Sequence, residues 1–267
     1  MPFAPIPGGQ LYFETSGSGS PLMLVSGLNG SARFWSLQVP RLAEHFTVVV
    51  HDHRGVDRSS RDAIAYSIEQ MAGDTLALMD YLDIDSTALV GQSTGGAIGQ
   101  YLAATQPDRI SRLVLSSTWT HADAYFARLF ELRRDLLRSA GMELYTREGS
   151  LLLYPPEWLR EHDREVAEAE ARSVTSASSP EIMISRIEAL LRFDGRALAS
   201  RIRCSTLVIA ALDDRITPAY FSRALAQAIP GARLVLLDGG GHFLPIVEAG
   251  RYAEIVRDFL SEPALLL

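Results

Sequence analysis

Three residues far apart in the chain have the side-chain types that acyl transfer needs. Ser93 sits in "GQSTG", Gly91–Gly95, which fits Gly-x-Ser-x-Gly. A serine at its free pKa is a poor nucleophile and needs a base held in place by a third group. His242 is the base candidate, presented after three glycines in "LLDGGGHFLP". The other five histidines are placed less well. His45 falls at a helix end, His162 lies in a charged helix, and His51 and His53 flank the end of an apolar run. His121 also follows an apolar run, but it comes too early for a Ser, acid, His order. The acid is one of two neighbours, Asp213 or Asp214, in "ALDDRITP". A polar turn or the N-cap of the next helix is the plain alternative for this pair.

Positioning such residues takes strands that end abruptly and helices that start at once. "LMLVS", "TVVVHD", "TALV", "RLVLSS", "TLVIAA" and "RLVLLD", beginning at Leu22, Thr47, Thr87, Arg112, Thr206 and Arg233, are unbroken apolar runs. Such runs suit parallel strands covered on both faces. Helical patterns alternate with them at Phe34–Glu44, Ile68–Leu82, Gly96–Gln106, Pro218–Ile229 and Glu248–Leu260. The alternation predicts an α/β, doubly wound, mostly parallel sheet. Residues 1–120 and 201–267 form its core. No strand is expected from 121 to 200, where charged amphipathic stretches read as an inserted helical lid over the carboxyl edge of the sheet.

In that frame the serine motif lies between a strand and a helix. A sharp turn there lifts the Ser93 hydroxyl above the sheet, and the helix start aims free N–H groups at any anion formed beside it. An ordinary Gly- and Ser-rich turn is the competing reading.

Bulk properties narrow the classes further. The net charge is −7 and all 25 basic residues are arginines, scattered rather than clustered, so no nucleic-acid partner is expected. The single cysteine, Cys204, excludes an internal disulfide and a cysteine metal cluster, and it reads as a buried structural thiol. No apolar run approaches the roughly 18 residues of a membrane span, and the first residues lack a secretory pattern. A cytoplasmic protein without a membrane partner is the expectation.

Along nearly its whole length the sequence resembles the α/β-hydrolase superfamily. "LVSGLNGSARFW" resembles the family's oxyanion segment, "HDHRGVDRSS" its Asp-x-Arg-Gly-x-Gly-x-Ser loop, "ALDDRITP" its acid turn and "GGGHF" its histidine loop. Small bacterial catabolic members, the 3-oxoadipate enol-lactonases and aminoacrylate hydrolases, are the most similar. Ser26 stands where the family usually has histidine, and Asp57 and Ala211 where it has glycine. The order Ser93, Asp214, His242 matches the family's order, and the resemblance favours Asp214 over Asp213. It also implies the backbone N–H groups of Leu28 and Thr94 as oxyanion donors. The implied chemistry is cleavage of a small ester, enol-lactone or related acyl bond through an acyl-enzyme, with neither metal nor organic cofactor.

Asn29, Arg33, Trp35, Trp119, Trp158 and Phe243 are placed in sequence where they could face a small-molecule acyl substrate, and Arg33 could pair with a substrate carboxylate. Packing anchors at Trp35 and Trp158 and a solvated Arg33 are the alternatives. The same three residues would also serve amide, carbamate or C–C bond hydrolysis, or perhydrolysis. A ligand-binding receptor on the same fold is the rival from another class. The oligomeric state is not legible.

Overall fold

The first two strands, β1 (Phe3–Ile6) and β2 (Gly9–Ser16), form an antiparallel hairpin that the sequence reading did not anticipate. β1 buries Ala4 and Ile6 on either side of the exposed Pro5, and β2 buries only Leu11, so neither offers a continuous apolar run. The six expected runs are β3 (Ser20–Val25), β4 (Phe46–His51), β5 (Thr87–Gln92), β6 (Ile110–Ser116), β7 (Ser205–Ala211) and β8 (Arg233–Leu237). The eight strands lie in the order β1-β2-β4-β3-β5-β6-β7-β8, antiparallel at β1–β2 and β2–β4 and parallel elsewhere. This computed structural model describes residues 2–262.

β3 lies between β4 and β5, so the connections leaving β3 and β5 run to opposite sides. That reversal opens a crevice at the carboxyl ends of the two strands, where open α/β sheets bind ligands. The segment after β3 and the serine after β5 both begin there.

The helices follow in chain order. A 3₁₀ turn at Ala32–Trp35 and the short α1 (Val39–Leu42) replace the single helix expected from Phe34. Pro40, in the first turn of α1, lacks the N–H that would continue a helix from Ser36. Next come α2 (Ile68–Tyr81), α3 (Thr94–Thr105), and α4 (Ala124–Leu153), which kinks at Gly141. After these are α5 (Pro156–Glu161), α6 (Asp163–Ser176), α7 (Pro180–Arg192), α8 (Arg196–Ala199), α9 (Ala219–Ala228), α10 (Leu244–Val247) and α11 (Ala249–Ser261).

Alternate residues of the buried strands serve two separate layers. Leu22, Leu24, Val48, Val50, Leu207 and Ile209 pack with Leu42 of α1 and Val256 of α11. Met23, Val25, Val49 and Val208 pack with Met71, Ile98 and Leu225 of α2, α3 and α9. The helices α4–α7 leave and rejoin the sheet at one neck. His121 bridges to Asp194 there, and the Gly195 N–H donates to the Thr120 carbonyl at 2.6 Å. Cys204, at the foot of β7, is half-buried, and burial pushes its thiol pKa up. No described helix is long and apolar enough to cross a membrane.

Candidate active site

β5 ends fully buried, and α3 starts two residues earlier than its apolar pattern suggested. Between them Ser93 takes φ 54° and ψ −115°, a strained conformation for a residue with a side chain. The corner can be this tight because Gly95 has no side chain: a Cβ there would lie 2.0 Å from the Val25 carbonyl oxygen. Neighbouring strands hold the strained residue in place. The Ser93 N–H donates to the Ser116 carbonyl at 2.9 Å, and Thr118 Oγ1 donates to the Ser93 carbonyl at 2.8 Å. The Ser93 hydroxyl makes no cap to α3.

The two candidate acids separate cleanly. Asp214 follows β7, is almost fully buried, and meets His242 Nδ1 with Oδ2 at 2.9 Å and Oδ1 at 3.1 Å. The N–H groups of Ile216 and Thr217 donate to Oδ1 at 2.8 and 2.9 Å, and the Thr217 hydroxyl to Oδ2 at 2.9 Å. Burial pushes the Asp214 carboxyl up, but the His242 ring and these backbone donors outweigh it and hold it below its usual range. Asp213 instead accepts the N–H of Gly241 at 2.9 Å and of Gly240 at 3.4 Å, bracing the loop that carries His242. From the other side Gln92 Nε2 donates to the His242 carbonyl at 3.2 Å, linking the base to the residue before Ser93.

Ser93 and His242 both line a cavity of about 910 Å³. Leu28, Asn29, Arg33, Trp158 and Phe243 line it as well. Thr94 is fully buried and does not line the cavity; as the first residue of α3 its N–H has no partner within the helix. Trp35 and Trp119 do not line the cavity. Trp35 is sealed in the layer under α1 and α11. Trp119 turns inward to stack on Phe126 at 4.7 Å, because the chain after β6 passes beneath α4. Trp158 stacks between Tyr154 at 4.6 Å and His162 at 4.0 Å. Phe243 meets Tyr154 and Phe34 edge-on, each at 5.2 Å, which completes an aromatic wall.

Arg33 is already neutralised. Its Nε lies 3.0 Å from Asp57 Oδ2 and its side chain is 61% exposed. Asp57 holds φ 44°, which suits the glycine usual in the resembled family and which aspartate tolerates. Sequence reading missed three further cavity arginines, Arg61, Arg172 and Arg133; the first two are exposed, and Arg133 of α4 is buried apart from 6%. Its Nε donates to Glu148 Oε2 at 3.0 Å and its guanidinium lies 4.5 Å from the Tyr145 ring centre. Among the described residues its two terminal nitrogens have no hydrogen-bond partner. In sequence Arg133 is one of many arginines on an amphipathic helix, and only its burial distinguishes it.

Comparison with known proteins identifies the family. The family described as alpha/beta hydrolase fold matches residues 20–249. "Putative carbamate hydrolase RutD" of Azorhizobium caulinodans is 37% identical, covering 98% of this chain and 99% of the relative. The crystal structure of the enol-lactonase from Burkholderia xenovorans LB400 superposes with TM-score 0.91 at 31% identity, covering 98% of this chain and all of that one. A hydrolase from Pseudomonas aeruginosa PA01 superposes with TM-score 0.87 at 29% identity, covering 96% of each chain. The chain therefore belongs to the alpha/beta hydrolase family and is a hydrolase.

Proposed function

We propose that this hydrolase is a cofactor-independent serine enzyme that cleaves a small ester or enol-lactone bearing a carboxylate. The observation that carries the reading is the buried pair His242–Asp214, at 2.9 Å, sharing a cavity with a serine strained at the end of β5. Ser93 Oγ attacks the carbonyl carbon while His242 takes its proton. Asp214 fixes the ring by its Nδ1 and stabilises the imidazolium that forms. The N–H groups of Leu28 and Thr94 hold the tetrahedral oxyanion. His242 then protonates the departing oxygen; the alcohol of an ester leaves, whereas the enol of a lactone stays tethered to the acyl group as the ring opens, and Ser93 stays acylated. Water, losing its proton to His242, releases the acid and restores the serine.

Arg133 supports the substrate class. Its Nε is committed to Glu148, which leaves the two terminal nitrogens as an open fork, the geometry that grips a carboxylate end-on. The helices α4–α7 act as a lid, their aromatic wall excluding water from the reacting carbonyl. A second reading, carbamate cleavage by the same residues, rests on the name of the Azorhizobium relative.

The test is a matched series of short esters, enol-lactones and carbamates, each with and without a terminal carboxylate, run beside Ser93→Ala. Preferential turnover of the carboxylate-bearing ester or enol-lactone, abolished in the variant, supports the first reading. Turnover of the carbamate alone moves the second reading into its place. Turnover that survives the loss of Ser93 rejects both.

A further inference from the structure

Arg186 on α7 carries a buried charge that the proposed mechanism leaves unused. Its side chain is fully buried, and all three of its hydrogen bonds go to main-chain carbonyls. Nε and Nη2 donate to the Leu28 carbonyl at 3.0 and 2.8 Å, and Nη1 donates to the Arg54 carbonyl at 2.7 Å. Among the described residues no carboxylate lies within ion-pair distance of it. The Tyr66 ring centre, 5.4 Å from the guanidinium, is its other close neighbour of note. Burial pushes its pKa down to about 10, so it remains a cation at neutral pH.

A buried cation without a counter-ion is costly, and an apolar side chain of similar volume would serve the packing of a helix better. The location of this one explains its presence. We propose that Arg186 is a positioning residue that, through the Leu28 carbonyl, holds the backbone at Leu28 in the conformation its oxyanion-donor N–H needs. This inference rests on the serine-hydrolase reading above. The two charge-assisted hydrogen bonds to the Leu28 carbonyl fix the peptide plane that follows the Leu28 Cα, and so restrain the backbone from which the donor N–H projects. That carbonyl and the donor N–H belong to the same residue, so the same cation also biases the local field toward an oxyanion.

The contact crosses from the lid to the site, and the rest of α7 provides a control for that. Ser185 Oγ donates to the Ile64 carbonyl at 3.1 Å, and Arg192 Nη2 donates to the Tyr66 carbonyl at 2.8 Å. Both tie α7 to the core without touching the segment after β3. Arg186 therefore couples the lid to the oxyanion donor, whereas Arg192 attaches the lid alone.

The experiment compares the full chain with Arg186→Lys and Arg192→Ala. It measures kcat and KM on p-nitrophenyl acetate per titrated active site, the inhibition constant of an aryl trifluoromethyl ketone, and the melting temperature. The ketone binds by forming an oxyanion, so its affinity reads the same donor as catalysis. Arg186→Lys keeps KM while kcat and ketone affinity fall together by about tenfold or more, and Arg192→Ala keeps both. If Arg186→Lys does not fold, Arg186→Gln, which retains one donor without charge, takes its place under the same criteria. A lower melting temperature with unchanged kcat per site would reduce Arg186 to a structural role and overturn the proposal. A rise in KM at constant kcat would overturn it too, because that marks substrate binding. A wild-type chain that neither hydrolyses the ester nor binds the ketone would reject the serine-hydrolase reading itself, and the proposal with it.

Discussion

Asp214 and Asp213 are adjacent in the chain and hold different things: Asp214 takes His242 Nδ1 at 2.9 Å, and Asp213 takes the Gly241 N–H at 2.9 Å. One acid orients the ring and the other orients the loop that carries it. Both tasks need a carboxylate, which accounts for the doublet.

The two acids are therefore expected to differ under the same substitution. Asp214→Asn leaves a folded protein whose kcat falls on the order of 10³–10⁴, because the amide favours the wrong tautomer of His242. Asp213→Asn lowers activity far less and costs about 1–2 kcal/mol of stability through weaker bonds to Gly240 and Gly241. Steady-state kinetics beside urea denaturation separates them, and a larger kcat loss at Asp213 would reverse the assignment.

Strain at Ser93 gives a stability prediction. Ser93 holds φ 54°, which glycine adopts without penalty. Ser93→Gly should abolish turnover and raise stability by up to about 1 kcal/mol, after the glycine's own entropy cost is deducted. A melting temperature below wild type would show that the surrounding hydrogen bonds leave no strain to release.

Arg133 predicts selectivity. Arg133→Met should lower kcat/KM for a carboxylate-bearing ester by roughly 10- to 100-fold, the worth of hydrogen bonds to a charged group, and leave the matched neutral ester nearly unchanged. An equal loss on both esters would make Arg133 a packing residue.

The folded protein should lose stability in mild acid. His51 and His53 are both almost fully buried, and neither ring nitrogen of His51 has a partner. Burial pushes His51 down to about 4, with Asp52 opposing and Arg186 assisting. Burial, with help from His51 and Arg186, holds His53 well below its usual value. A histidine whose folded pKa is depressed binds its proton first in the unfolded chain, so stability falls as pH drops below the ordinary value near 6.5. For His51 the loss continues to about pH 4 and amounts to the order of a few kcal/mol. Chemical denaturation across pH 4 to 7 reads it, and His51→Asn should flatten the profile. A pH-independent midpoint in the wild type would contradict this.

The strands were legible because both faces of the sheet are covered, which leaves runs such as "TVVVHD" without alternation. The hairpin β1–β2 was not, since exposed residues such as Gln10 and Glu14 dilute the signal. Pro40 broke a helix that periodicity alone continued, and Gly95 and Gly96 hid a start that α3 makes at Thr94. In the site, Ser93, Asp214 and His242 stood out because each lies in the turn or loop just past a strand. Trp35 and Trp119 misled because position after a strand does not fix the direction of a side chain, and both point into packed layers. Arg133 and Arg186 lay beyond sequence reading for the same reason. Each is one arginine among 25, and burial alone sets them apart.

The most direct measurement is reaction with a fluorophosphonate, followed by intact mass and peptide mapping, in wild type, Ser93→Ala and His242→Ala. A single adduct on Ser93, absent from both variants, is the result predicted for a serine activated by His242. A folded wild-type protein that stays unlabelled while the probe reaches its cavity, or an adduct at another residue, would contradict the mechanism.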